Sequence, residues 1–137
     1  MSDLMPPHNQ ADFLTSLYSL EGKVAVVTGG TGVLGGVMAH GLARAGAKVA
    51  IMGRRADRAR ELAAEITNSG CDALAVQADV LDRSQLDTAS QAVLDHWGRI
   101  DILVNAAGGT TPEASVPVDK TIFDMPLDAM RHVIDLN

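Results

Sequence analysis

The sequence predicts an α/β protein in which a parallel, doubly wound sheet is covered by helices on both faces. Short apolar runs recur at similar intervals, stretches with helical periodicity separate them, and a glycine-rich turn joins the first run to the first long helix. The chain also has 20 alanines and 13 glycines but only 3% aromatic residues. This composition favours close packing of helices against strands.

The apolar runs are interpreted as four buried strands, at residues 24–27, 49–52, 73–76 and 100–104. A helix is predicted over residues 34–45, and apolar residues at helical spacing predict two more, around Ala59 to Ile66 and around Leu86 to Trp97. Asp82 and Gln85 are spaced to close a capping box at the start of the last of these. The short connections require right-handed crossovers, and the strand order is 3-2-1-4 if the fourth strand crosses to the far side of the first.

Both ends of the chain carry expectations about domain organisation. Residues 1–20 are predicted to be an N-terminal extension, a docking arm in which Phe13, Leu14, Leu17 and Tyr18 share one side of a short helix and Tyr18 is an apolar anchor. The domain is predicted to occupy residues 21–137. A four-stranded half sheet with an exposed apolar flank predicts that it is incomplete at the C-terminus and continues beyond Asn137 in the natural protein.

Composition excludes several classes of protein. With 47% hydrophobic residues the chain is not disordered, and a net charge of −6 gives no basic footprint for nucleic acid. The single cysteine, Cys71, excludes an internal disulfide, and the four histidines have no metal-ligand spacing, so we predict no metal site. Without a leader pattern or a run of about 18 apolar residues, we expect a cytoplasmic protein that does not bind membranes.

The glycine-rich turn is the main chemical feature of the sequence. Gly30, Gly32 and Gly35 satisfy the spacing of the dinucleotide fingerprint between a predicted strand and a predicted helix. Unpaired N–H groups at a helix N-terminus attract a diphosphate when no side chain stands between the phosphate and the backbone. One alternative is a tight turn that serves only close packing. A mononucleotide loop is a second, although no Gly-Lys-Ser or Gly-Lys-Thr ends the run.

Four motifs in register resemble the short-chain dehydrogenase/reductase family: Thr28-Gly29, the glycine turn, Asp79-Val80 and Asn105-Ala106-Ala107-Gly108. The resemblance covers residues 20–137 and implies a Rossmann fold, a nicotinamide coenzyme, a small-molecule substrate and a homo-oligomer, either a dimer or a tetramer. The loop departs from the usual family pattern, because Val33 occupies the middle glycine position and Gly32 lies one residue earlier. Written as Thr-Gly-x-x-Gly-x-x-Gly, it matches the extended branch of the same family, whereas the Asn-Ala-Ala-Gly turn favours the ordinary branch.

The family pattern implies specific roles for these motifs. Asp79 would hold the adenine amino group, Val80 would contact the ring, and Asn105 would fix the turn on the nicotinamide side. The predicted coenzyme-binding residues are Gly29, Thr31, Gly32, Val33, Leu34, Gly35, Gly53, Arg54, Arg55, Asp79, Val80, Asn105, Ala106, Ala107 and Gly108. From the residues alone, Asp79 is also explained as a turn cap, and an Asn at a turn is commonplace.

The end of the second strand predicts the choice of dinucleotide. An acid normally binds the free 2′-hydroxyl of NAD there, but this sequence has Gly53 followed by Arg54 and Arg55. Two guanidinium groups without a carboxylate favour a 2′-phosphate, so we predict NADP(H), with NAD(H) as the alternative. The competing interpretation is that both arginines are a solvated pair at the start of the next helix.

The predicted reaction is hydride transfer between NADP(H) and a secondary alcohol or ketone. In the family a Tyr-x-x-x-Lys pair handles the proton, but the only tyrosine here is Tyr18. Asn137 matches the catalytic asparagine, which by resemblance holds a water molecule that relays protons. The long stretch 109–126 resembles the branch that acts on mannonate- and fructuronate-type sugar acids. The alternative is a non-catalytic dinucleotide-binding or scaffolding module.

Overall fold

The computed structural model describes residues 10–137, so Pro6, Pro7, His8 and the rest of the first nine residues of the predicted arm lie outside the described residues. Helices and strands alternate as the sequence predicts. Two single-turn 3₁₀ helices, Pro112–Ala114 and Ile122–Asp124, lie between the last strand and the last helix. The elements in chain order are α1 (Gln10–Tyr18), β1 (Val24–Thr28), α2 (Val33–Arg44), β2 (Lys48–Gly53), α3 (Ala56–Asn68), β3 (Ala73–Gln77), α4 (Arg83–Trp97), β4 (Ile102–Asn105) and α5 (Leu127–Leu136).

The four strands form one parallel sheet in the order β3-β2-β1-β4, which confirms the predicted fold class and strand order. β1 therefore lies inside the sheet, between β2 and β4, and the chain crosses from one side of β1 to the other between β3 and β4. A crevice at the carboxyl ends of β1 and β4 follows from this reversal of strand order.

Alternate residues of the buried strands supply two cores, one on each face of the sheet. Val27 and Ile51 pack towards α2 and α3, where Leu62 and Ile66 complete the first core. On the other face, Val26, Met52 and Val76 pack with Ala89 and Val93 of α4. The period-2 alternation of the strands is therefore used on both faces, as a doubly wound sheet requires.

The N-terminal helix has the predicted apolar side but contributes little to these cores. Phe13, Leu14, Leu17 and Tyr18 are between 43% and 74% exposed, and Tyr18 is the most exposed of the four. The expectation that Tyr18 is an apolar anchor is wrong, because Tyr18 lies exposed at the end of α1 and packs against neither core. Leu20 packs against the first core instead, and its N–H donates to the carbonyl of Ala45.

β4 begins at Ile102, two residues later than predicted, because Asp101 binds the backbone of β1 instead of extending the strand. Its carboxylate Oδ2 accepts from the Val24 N–H at 2.8 Å, and Arg99 Nε donates to the same oxygen at 2.9 Å. The Arg99 hydrogen bond first, and the Val24 N–H second, hold the pKa of Asp101 below its usual value. Asp101 thus joins the first strand to the segment that leads into the fourth.

Within residues 10–137, no helix is long and apolar enough to cross a membrane.

Asp101→Asn is expected to lower stability in a pH-dependent way. Since folding lowers the pKa of Asp101, the ionised carboxylate stabilises the fold above about pH 3.9, and this contribution is lost as the pH falls through the lowered pKa. The melting temperature of the variant should therefore lie below that of the wild type at pH 7, and the gap should narrow below about pH 4. Asp128→Asn is the control, since this side chain is 96% exposed. A gap that stays constant from neutral to acid pH would contradict the linkage.

Candidate functional site

A cleft of about 260 Å³ opens at the carboxyl ends of the strands, where the predicted crevice lies. It is bordered by the glycine turn after β1, the basic loop after β2, the loop after β3 and the turn after β4. The lining residues are Gly29, Thr31, Gly32, Gly53, Arg54, Arg55, Ala78, Asp79, Val80, Ala106, Ala107, Gly108 and Leu136. The structure therefore brings together most of the predicted coenzyme-binding residues. Val33, Leu34, Gly35 and Asn105 are not among those that line the cleft.

The glycine turn takes a tight path between β1 and α2. Gly29 has a φ of +64°, and its carbonyl accepts from the Gly32 N–H at 2.9 Å. Gly30 donates to the carbonyl of Met52 in the neighbouring strand at 3.0 Å. Gly32 is the N-cap of α2 with ordinary extended dihedral angles, φ −84° and ψ 171°. The helix thus begins at Val33, one residue earlier than predicted.

The N-terminus of α2 has no side-chain cap. The first intrahelical bond joins the Gly36 N–H to the carbonyl of Gly32 at 2.9 Å, so the N–H groups of Val33, Leu34 and Gly35 have no partner among residues 10–137. Three such donors at the positive end of a helix are groups that can bind an anion. The side chains of Val33 and Leu34 are 86% and 73% exposed, which leaves the backbone as their contribution to this site.

Several glycines are also required by packing, as the tight-turn alternative supposed. A Cβ on Gly35 would contact the Gly29 carbonyl oxygen and lie 2.9 Å from its carbonyl carbon. At Gly53 the same atom would lie 2.6 Å from Thr31 Oγ1. Gly32 differs, because its Cβ would meet only the Gly29 oxygen, at 3.2 Å, and would otherwise face open space beside the cleft. Gly32 is therefore the glycine whose missing side chain keeps the approach to the α2 N-terminus open. The free N–H groups of Val33, Leu34 and Gly35 form a cradle that fits a diphosphate.

The basic loop after β2 is fixed by contacts with both neighbouring loops. Arg55 Nη2 donates to the carbonyl of Thr31 at 2.6 Å, across the glycine turn. On the other side, Gln77 Nε2 donates to the carbonyl of Arg54 at 3.2 Å. Both arginines are exposed and line the cleft. They are therefore placed at its rim by backbone contacts on either side.

The loop after β3 holds Asp79 by three hydrogen bonds. Asp79 Oδ1 accepts from the Leu81 N–H at 3.0 Å, which is the turn cap considered as the alternative to adenine binding. The predicted capping box is only half formed. Asp82 Oδ1 accepts from the N–H groups of Ser84 and Gln85, but Gln85 Oε1 accepts from the Asp79 N–H at 3.0 Å, since the Asp82 N–H already donates to the Asp79 carbonyl. Hydrogen bonds from Ser84 and Gln85 lower the pKa of Asp82.

The turn after β4 is held by Thr28, a residue that sequence reasoning did not assign to the site. Thr28 is 7% exposed, and its Oγ1 accepts from the N–H groups of Ala106 and Ala107 at 3.2 Å each while donating to the carbonyl of Val104. A hydroxyl at the end of an otherwise apolar strand was the signal available in the sequence. Asn105, expected to fix this turn, is the last residue of β4 and pairs with Thr28 in the parallel register.

The last helix returns Asn137 to the turn after β4. Its Oδ1 accepts from the Gly109 N–H at 3.0 Å, while its Nδ2 donates to the carbonyls of Gly109 at 2.8 Å and Val133 at 2.7 Å. A Cβ on Gly108 would lie 2.6 Å from the same Oδ1. The preceding residue, Leu136, lines the cleft and was also missed by the sequence analysis.

Residues 10–137 contain no group of three or more His, Cys, Asp or Glu side chains that could hold a metal ion. The cleft instead offers the free N–H groups at the start of α2, a basic rim and a lining of small residues. An open parallel sheet with this cradle at the reversal of strand order defines the class of dinucleotide-binding α/β domains.

Comparison with known proteins gives the family. The model of the short chain dehydrogenase family matches residues 23–137, so the chain belongs to this family. The uncharacterised oxidoreductase UxuB of Bacillus subtilis is 48% identical over an alignment of 115 residues, and the match covers 78% of this chain and 41% of that protein. The chain thus spans less than half the length of this relative.

Solved structures show the same fold. A candidate D-mannonate oxidoreductase from Haemophilus influenza with bound NAD superposes with a TM-score of 0.81 and 29% identity, over 90% of this chain and 48% of that one. The RhlG/NADP active-site complex of Pseudomonas aeruginosa superposes with a TM-score of 0.70 and 31% identity, over 87% of this chain and 42% of that one.

Proposed function

We propose that this chain carries the coenzyme-binding half of an oxidoreductase that transfers hydride between NADP(H) and a secondary alcohol or ketone. The observation that carries the proposal is the uncapped N-terminus of α2, whose free N–H groups lie beside a cleft kept open by Gly32. The family membership supports an oxidoreductase, and the coenzymes named for two structural neighbours, NAD for one and NADP for the other, support a nicotinamide coenzyme.

Each wall of the cleft would hold one part of the coenzyme. The amides at the start of α2 would bind the diphosphate, and the loop of Asp79 and Val80 would receive the adenine. Ala106 to Gly108, held in place by Thr28, would border the nicotinamide side. When bound, the nicotinamide ring supplies or accepts the hydride.

The NADP(H) preference rests on the rim after β2. An acidic side chain at position 53 would require Thr31 to move, because a Cβ there would lie 2.6 Å from Thr31 Oγ1 and 2.8 Å from its Cγ2. Arg54 and Arg55 place guanidinium groups on the same rim. A charge-assisted contact with a 2′-phosphate contributes roughly 1.5 to 3 kcal/mol, which corresponds to a preference of about tenfold to a hundredfold over NAD(H).

We propose a sugar acid of the mannonate kind as the substrate class. Residues 109–126 form a long connection that continues from the turn after β4, and residues between Pro112 and Pro126 line a second cavity of about 220 Å³. The similarity to the candidate D-mannonate oxidoreductase supports the same choice.

Asn137 is proposed to act at the nicotinamide end of the cleft. Its two amide protons and one lone pair of Oδ1 are engaged by Gly109 and Val133, which leaves one acceptor position on Oδ1 for a water molecule. The carboxamide therefore orients the turn after β4 and can hold one proton-relaying water. A non-catalytic dinucleotide-binding module is the second candidate, because the cleft at the carboxyl ends of the strands accounts for coenzyme binding by itself. Reduction of a sugar-acid ketone by NADPH would distinguish the two functions.

Gly32→Ala is the sharpest test of coenzyme binding. The dihedral angles of Gly32 suit any residue and its Cβ would meet only the Gly29 oxygen, at 3.2 Å, so the variant should fold with a melting temperature slightly below that of the wild type. A methyl group at the mouth of the cradle should nevertheless weaken NADPH binding at least about tenfold, since it obstructs the approach of the diphosphate. Calorimetric titration and thermal unfolding measure the two effects, with Gly41→Ala as the matched control outside the cleft. Unchanged affinity in a folded Gly32→Ala variant would remove the diphosphate site.

A further inference from the structure

We propose that Arg55 positions the glycine turn for both coenzymes and, unlike Arg54, does not determine the choice between them. This inference rests on the proposed function, which treats the two arginines as one basic pair. The structure separates them by what each side chain and each backbone carbonyl contacts.

Arg55 is committed to the glycine turn. Its guanidinium Nη2 donates to the carbonyl of Thr31 at 2.6 Å, a link between residues 24 positions apart. Thr31 also packs directly over Gly53, where a Cβ would lie 2.8 Å from its Cγ2. Arg55 and Gly53 therefore hold Thr31 from two directions, and Thr31 immediately precedes the N-cap of α2. A charged donor to this carbonyl fixes the turn that presents the diphosphate-binding amides.

Arg54 has the opposite arrangement, with a fixed backbone and an uncommitted side chain. Its carbonyl accepts from Gln77 Nε2 at 3.2 Å, and the neighbouring carbonyl of Gly53 accepts from the Ala78 N–H at 3.2 Å. Its guanidinium makes no hydrogen bond or ion pair with any residue between 10 and 137. All five N–H donors of Arg54 are thus available at the rim of the cleft, on a backbone that β3 holds in place.

The two positions also face different spaces. Arg55 lines both the cleft and a neighbouring groove between α2 and α3, whereas Arg54 lines the cleft. Arg55 therefore lies across the boundary that Thr31 and Gly32 form between the two spaces. Its position suits a brace of the loop, which acts on whatever binds to that loop. The position of Arg54 suits a direct contact with a group at the adenosine end of the cleft.

The test compares Arg54→Ala with Arg55→Ala in titrations of the 137-residue chain with NADPH and NADH, which differ only in the 2′-phosphate. Arg54→Ala should reduce the NADPH preference about tenfold to a hundredfold and leave NADH binding unchanged. Arg55→Ala should weaken the binding of both coenzymes by a similar factor, about three- to tenfold, so that the ratio of NADPH to NADH affinity is preserved. Arg55→Lys should recover part of this loss. Arg60→Ala is the control, since Arg60 pairs with Asp57 away from the cleft.

Amide hydrogen exchange gives a readout that does not depend on coenzyme. Exchange at residues 31–35 should accelerate in Arg55→Ala and stay at the wild-type rate in Arg54→Ala. The division of roles is wrong if Arg55→Ala lowers the ratio of NADPH to NADH affinity as Arg54→Ala does, or if it leaves amide exchange at residues 31–35 unchanged. The proposed function stands in either case. If the wild type binds the two coenzymes equally, the NADP(H) preference and the role of Arg54 both fail, and the exchange result still decides the role of Arg55.

Discussion

Gly29→Ala is expected to destabilise the protein by at least about 3 kcal/mol, which lowers its melting temperature by more than about 10 °C or prevents folding. The φ of +64° is one that residues with a Cβ adopt only at a cost of about 1 to 2 kcal/mol. A Cβ would also contact the Ala106 oxygen and lie 2.6 Å from the Ala107 Cα, both backbone atoms of the turn after β4. These atoms cannot give way as a side chain can, so the two turns must separate.

Gly41→Ala is the matched control for this prediction. Gly41 lies in the interior of α2, and no heavy atom would lie within 4 Å of its Cβ. The same substitution should therefore stabilise the chain by about 0.5 to 1 kcal/mol through helix propensity. Urea unfolding of both variants measures the difference in sign. A Gly29→Ala variant as stable as the wild type would show that the two turns are not in contact.

Thr28→Val is expected to cost about 1 to 3 kcal/mol of stability and to weaken coenzyme binding. The variant has nearly the same shape, but it removes the hydroxyl that accepts from Ala107 and shares the N–H of Ala106. A donor left unsatisfied near the core costs about 1 to 3 kcal/mol, and the turn that it fixed forms one wall of the cleft. Thr28→Ser keeps the hydroxyl and is the control.

Thermal unfolding and NADPH titration of the two Thr28 variants separate the hydroxyl from the side-chain volume. The serine variant should lose the methyl packing but keep most of the coenzyme affinity. Equal losses of affinity in the valine and serine variants would mean that the turn after β4 does not depend on the hydroxyl group of Thr28.

The sequence predicted the architecture well because buried parallel strands and amphipathic helices leave strong patterns of period 2 and 3.6. The strand order and the position of the glycine turn were both predicted correctly. Element ends were predicted less well, as at β4, where Asp101 binds the Val24 N–H instead of extending the strand. The half-formed capping box failed for a similar reason, since Gln85 had a competing donor at Asp79 that is close only in the folded chain.

The sequence by itself determined which segments become strands and helices, that the glycine turn lies between the first strand and helix, and which residue types surround the crevice. Only the tertiary structure decided that Thr28 holds the turn after β4, that Arg55 binds Thr31, and that Gly29 fits against Ala106. The physical reason is the separation of these residues along the sequence. Propensity and periodicity act between neighbours along the chain, whereas these contacts join residues 24 or more positions apart, which folding alone brings within hydrogen-bond distance.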